Sequence, residues 1–597
     1  MKIFKYSGIA LLLAGAMLSS CSKNFLDKPS YGALTENDMA TKAGIKVMLI
    51  GAYAALDGQA PGNNALGGSG SGWMASPTNW VYGSVAGGDA HKGSESTDQS
   101  DINTIAIGQE SSTNTFINAK WKAVYEGVTR CNITLRLLRQ TKDMTADEKK
   151  QVEAECRFLR GHYYFELKKM FNNVPLITDT TTDVMQPNTV NIWPFIEADF
   201  TFAMNTLPET QTEVGRANKW AAQIYLAKTL LYEKQYPQAY TLFQGAINAG
   251  VTSNGKKYAL VPNFEDNFDA SKKNGPESVF AVQMTANDGT GSISNANAGD
   301  MLNYPYNSPF GCCGFFQPTQ DLVNSYRTDS ISGLPYIDNY NDPGNVVKND
   351  MKVAADAAFT PDAGYLDPRL DWTVGRRGLP YHDWGLHPGA KWVRDQNSGG
   401  PYAGKKMIFW QYNQNLYRDN NSWAPGSAIN VVLIRFADVL LMAAECAVET
   451  GDLAGAEAYV NQVRGRIADN PASWLHKYVV DTLPLKGFST TDLAAKYKIS
   501  RYPDSYFASQ DQARKIVYFE RKLELATEGH RYFDIARWGQ AGADMMNKFY
   551  QYENTITTDL VGGIYKVKRN EYFPIPQRQI DLSIKNGKSV LTQNSGY

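Results

Sequence analysis

Two stretches of this chain share one design, and that design limits what the chain can fold into. In "ANKWAAQIYLAKTLLYEKQYPQAYTLFQGAI" an apolar run of helical period reaches a turn near Tyr236-Pro237. A second run then sets Ala239, Phe243 and Ala246 on one face. In "IRFADVLLMAAECAVETGDLAGAEAYVNQVRGR" the turn is Gly451-Asp452, and the second run sets Ala456, Val460 and Val463 in the same way. Aligning Ala239 with Ala456 puts Phe243 opposite Val460. Small residues let paired helices approach closely, and larger ones fill the gap. The chain is therefore expected to be mostly α.

These units are hairpins of the tetratricopeptide type in degenerate form, which build a scaffold rather than a catalytic centre. Helical patterning places that scaffold at about 31–56, 112–250 and 430–550. Its first helix starts from a cap-like Thr35 and carries Met39, Ile45, Met48, Leu49 and Tyr53 near helical spacing. Between the helical parts lie two loop-rich regions, 57–111 and 251–429, dense in Gly, Asn and aromatic residues. A plain linker has no use for Trp73, Trp80 and Tyr82, so the first region reads as ordered loops. The second is a long insertion into a helical frame, which is most economically a binding surface.

The first twenty residues are a leader. Lys2 and Lys5 precede an apolar run from Ile9 to Leu18, too short to anchor in a bilayer. Leu18-Ser19-Ser20-Cys21 then fits the bacterial lipobox, in which the cysteine is acylated and becomes the new N-terminus. Two or more acyl chains hold a protein on a membrane stably, so Cys21 reads as a tether. No later run of eighteen apolar residues occurs. The formal net charge is -1 and no long Lys/Arg block appears, which argues against nucleic acid as a partner. Cys131, Cys156 and Cys446 fall in helix-like stretches and read as small buried hydrophobes. Cys312-Cys313, between Gly311 and Gly314, is either a vicinal disulfide or two free thiols.

Several segments together resemble the SusD/RagB family of outer-membrane lipoproteins. They are "CSKNFLDKPS", "ECRFLRGHYYFELKKMFNNVPLI", the second hairpin above, "ERKLELATEGHRYFDIARWG" and "YFPIPQRQID". The resemblance implies one SusD-like domain over 21–597 after a signal peptide at 1–20, with a variable loop-rich face on tetratricopeptide-like units. It implies a surface-exposed lipoprotein that binds oligosaccharide without catalysis, needs no cofactor, and passes its ligand to a TonB-dependent SusC-like transporter. A peptide-binding member of the same family is the alternative. A glycan-cleaving enzyme is a third reading, and it would need two converging carboxylates.

Sugar rings stack their C–H faces on aromatic rings while polar side chains hold the hydroxyls. Candidates of that kind in the early loops are Trp73, Trp80, Tyr82 and Asp89. In the insertion they are Tyr304, Tyr306, Arg376, Arg377, Tyr381 and Trp423. The charges of "ERKLELATEGHR" read as ion pairs and caps, because Ile516, Phe519, Leu523 and Ala526 occupy one helical face. His382, Asp383 and His387 do not form a metal triad on this reading, since Gly385 and Pro388 break the helix that would align them.

Overall fold

The computed structural model describes residues 36–60, 64–66 and 70–597. Cys21, the leader and Thr35 lie outside the described residues. Among those described, eleven helices have seven residues or more. They are α1 (Lys42–Ala54), α2 (Thr115–Gln140), α3 (Ala146–Phe171), α4 (Trp193–Thr206), α5 (Lys219–Tyr232) and α6 (Tyr236–Ala249). After the long insertion come α7 (Phe436–Thr450), α8 (Leu453–Ala468), α9 (Gln510–Glu524), α10 (Arg531–Arg537) and α11 (Gln540–Glu553).

Their ends are set by local chemistry. Thr41 caps α1 by accepting from the Gly44 N–H. Thr145 and Glu148 close a reciprocal capping box on α3. α7 stops at Gly451, whose φ of 85° is left-handed. Both sequence-read hairpins form, as α5/α6 and α7/α8, and Ala239, Phe243, Ala246, Ala456, Val460 and Val463 are all buried. Neighbours in the chain pack on each other from α2 to α6, and α6 then packs directly on α7. The insertion between them therefore leaves and re-enters the scaffold at one place.

Short strands close its base. β2 (Ser278–Val282) pairs antiparallel with β4 (Val431–Arg435), matching Val282 to Val431 and Ser278 to Arg435. β1 (Ala90–Gly93) pairs with β3 (Phe315–Pro318), with His91 opposite Gln317, and so ties the early loop region to the insertion. A buried ion network adds a second fastening. Arg369 of the insertion meets Glu520 at 2.7 Å and Glu524 at 2.8 Å, and Lys406 meets Glu528 at 2.6 Å. Arg435 holds Glu277, Glu524 and Glu528, Arg464 holds Glu520, and Arg466 holds Glu524. Glu520, Arg521, Lys522 and Glu524 of α9 are thus ion-paired, as their spacing suggests, and all four are buried.

Cys312 and Cys313 are joined as a disulfide, while Cys131, Cys156 and Cys446 are free and buried. His382 and His387 are also buried, with the His382 Nε2 at 3.1 Å from the Lys405 carbonyl and the His387 Nδ1 accepting from the Gly389 N–H at 3.2 Å. Burial pushes both imidazoles down to about 3.

Candidate functional site

The insertion folds its aromatics in two levels. The lower level is a buried cluster of Tyr304, Phe310, Tyr381 and Phe409. Tyr304 stacks on Phe310 at 5.5 Å, and Phe409 meets Phe310 edge-on at 5.4 Å. The Tyr381 hydroxyl donates to the Gly404 carbonyl at 2.5 Å, so its polar tip is satisfied inside.

The upper level reaches solvent. Trp384 lies edge-on to Phe310 at 4.7 Å and is oriented by its indole N–H, which donates to the Phe409 carbonyl at 2.8 Å. Tyr412 is 64% exposed, Trp423 59% and Tyr306 38%. Trp423 rides the turn of a short hairpin in which Arg418 pairs with Ser427 and Asp419 with Gly426. Asp419 shapes that turn by accepting from the Asn287 and Asn421 N–H groups at 3.0 and 2.9 Å. Trp73, from the early loops, meets Trp423 edge-to-face at 6.1 Å. The Arg394 guanidinium sits 5.6 Å over the Tyr306 ring.

Three of the ten sequence candidates keep ring surface outside the core: Trp73 and Trp423, which meet each other, and Tyr306, which lies under Arg394. The other seven are corrected by burial, because a covered ring or a covered charge offers nothing to a ligand. Trp80 packs edge-on against Phe315 and Phe316. Tyr82 donates its hydroxyl to the Met74 and Phe116 carbonyls, both at 2.7 Å. Asp89 accepts from the Thr527 N–H at 3.0 Å, and burial pushes its carboxyl up to about 6. Tyr304 and Tyr381 belong to the lower level. Arg376 forks onto Asp371 at 2.7 and 2.8 Å. Arg377 is spent on the carbonyls of Ala354, Ala355 and Ala357.

The model of the SusD family matches residues 276–597, more than half of the chain. The chain belongs to the SusD family. A second family model, described as starch-binding and associating with the outer membrane, matches residues 24–231 of this SusD-family protein. A SusD-like protein of Formosa agariphila is 25% identical over 500 residues, covering 81% of this chain and 80% of the relative. Another from the same organism is 25% identical over 552 residues, covering 90% and 91%. Among solved structures, a SusD superfamily protein of Bacteroides vulgatus shares the fold with a TM-score of 0.64 at 22% identity, over 94% of this chain and 100% of the other. Surface glycan-binding protein A of Bacteroides thetaiotaomicron, in complex with laminarihexaose, shares it with a TM-score of 0.60 at 19% identity, over 93% and 99%. Among the described residues no helix is long and apolar enough to cross a membrane.

Sequence reasoning passed over two upper-level residues of this SusD-family face, Trp384 and Tyr412. Trp384 lies inside the "YHDWGLH" segment weighed for metal, and Tyr412 follows the apolar pair Phe409-Trp410. Nothing in those neighbours distinguishes an outward ring from an inward one.

Proposed function

We propose that this SusD-family chain is a surface-exposed lipoprotein, tethered through Cys21, that holds an oligosaccharide without cleaving it and passes it to a TonB-dependent SusC-like transporter. The observation that carries the binding part is the exposed Trp423 ring, braced edge-to-face by Trp73 on a face built over a packed aromatic layer. A braced ring loses little side-chain freedom when a sugar stacks on it, so stacking contributes more of its free energy to affinity. Trp384, Tyr412 and Tyr306 extend the same kind of surface. A fold relative solved with laminarihexaose makes β-glucan oligosaccharides the first ligands to try.

The test is calorimetry of the soluble protein against a glycan panel that includes laminarihexaose. Trp423→Ala should weaken binding of whichever glycan responds by about tenfold or more, equivalent to about 1.4 kcal/mol. Unchanged affinity would place the site elsewhere. The same glycan, incubated with the protein and followed by chromatography, should keep its length; time-dependent shortening would refute the non-catalytic reading.

A further inference from the structure

A cavity lies apart from the exposed aromatic residues. It has a volume of about 810 Å³ and sits between α9, α10, α11 and the 337–342 loop. Cavities of this size commonly hold small organic ligands. Its apolar wall includes Tyr518, Phe519, Ile535, Met545 and Phe549.

Arg531 stands out among the cations that line it. Its Nη1 is buried without a hydrogen-bond partner, and its Nη2 points at the Met545 sulfur at 3.7 Å. The guanidinium is steadied from one side by the Trp538 ring, 5.5 Å away. Its stem is hemmed in by Gly87, where a Cβ would come within 2.9 Å of the Arg531 Cβ. Three of the other four cations already have carboxylates, and the fourth, Lys548, is exposed. Lys522 meets Asp321 at 2.6 Å, Lys515 meets Asp338 at 3.1 Å, and Arg514 meets Glu449 at 2.6 Å. Asp89, which Arg531 influences through space, has turned one oxygen to the Thr527 N–H. Together the cavity supplies, on one side, a guanidinium steadied by Trp538 and without an ion pair among the described residues, and an aromatic and thioether wall on the other.

We propose that this cavity binds a small ring molecule bearing a carboxylate, with the carboxylate on Arg531 and the ring against Met545, Phe549 and Tyr518. Arg matches a carboxylate in shape as well as charge, and the thioether and rings match the faces of a flat or puckered ring. The assignment does not depend on the loop face binding a glycan. An aromatic acid and a sugar acid share the required chemistry, so the probes are phenylacetate and D-glucuronate, with 2-phenylethanol as the uncharged counterpart of the first.

Calorimetry on the folded full-length mature protein should show saturable binding of at least one acid at millimolar concentration or below. Which of the two responds identifies the source of the acid. Arg531→Gln should weaken that binding about tenfold or more. Met545→Glu, which sets a competing carboxylate beside Arg531 and fills the cavity, should also abolish it, with folding of both variants checked by circular dichroism. Should Arg531→Gln fail to fold, Met545→Glu and the uncharged probe still decide. Three results would each overturn the assignment: no response to either acid, equal binding of 2-phenylethanol and phenylacetate, or unchanged acid binding in a folded variant.

Discussion

Glu524 keeps its charge in the core because Arg369, Arg435 and Arg466 surround it. These guanidiniums hold its carboxyl well below the ordinary 4.5 despite burial. Removing one partner of such a cluster leaves uncompensated charge inside the protein, which costs about 3–5 kcal/mol. Glu524→Gln should therefore lower the unfolding free energy at pH 7 by about that amount. The sign with pH follows from the depressed folded-state value. The Glu524 contribution is full above the ordinary 4.5 and is lost as pH falls below it. Urea titrations of wild type and variant at steps from pH 7 to pH 3.5 should show the gap narrowing below about 4.5; a constant gap would contradict the assignment. Buried Asp57, pushed up to about 7, has the opposite sign, but both proteins carry it and it cancels in the difference.

At the scale of elements, glycines do two different jobs that look alike in sequence. Gly451 ends α7 in the left-handed region with open space around it, so Gly451→Ala meets only a conformational penalty of about 1–2 kcal/mol. Gly83 belongs to a short π-type helix, Trp80–Val85, where a Cβ would fall 1.9 Å from the Gly529 carbonyl oxygen. Gly529 in turn has the Thr78 carbonyl 2.0 Å from its own virtual Cβ. Backbone therefore packs on backbone here, joining the early loop region to the "EGHRYF" segment. Gly83→Ala should cost more than Gly451→Ala, because two main-chain segments must separate. Denaturant unfolding of the two variants checks the order, and a reversed ranking would show that this contact yields easily. The same packing gives 57–111, which reads as ordered loops in sequence, part of its order: its glycines signal close approach here.

On the scale of the whole molecule, α6 packs on α7, so the insertion projects from a single junction and is fastened there by β2/β4 and the Arg–Glu network. In sequence, the proposed tether Cys21 precedes the scaffold, while the proposed binding face is drawn mainly from the insertion. Cys21→Ser should move the protein from the membrane fraction to the soluble one while leaving the glycan isotherm unchanged. Loss of both together would show that anchoring and binding are not independent.

The amino-acid sequence by itself determined the helical hairpins, because alanines and larger apolar residues at helical spacing have one good way to bury themselves. It also determined the family, through motifs lying largely in the scaffold. What only tertiary structure decided was which aromatics face outward. Trp80 and Trp423 both sit in Gly- and Asn-rich stretches, yet the first lies on Phe315 and Phe316 and the second is exposed beside Trp73. In loops no period of 2 or 3.6 tells one side of the chain from the other. The face of each ring is fixed by distant partners such as β1 on β3 and Trp73 on Trp423, which local sequence does not encode.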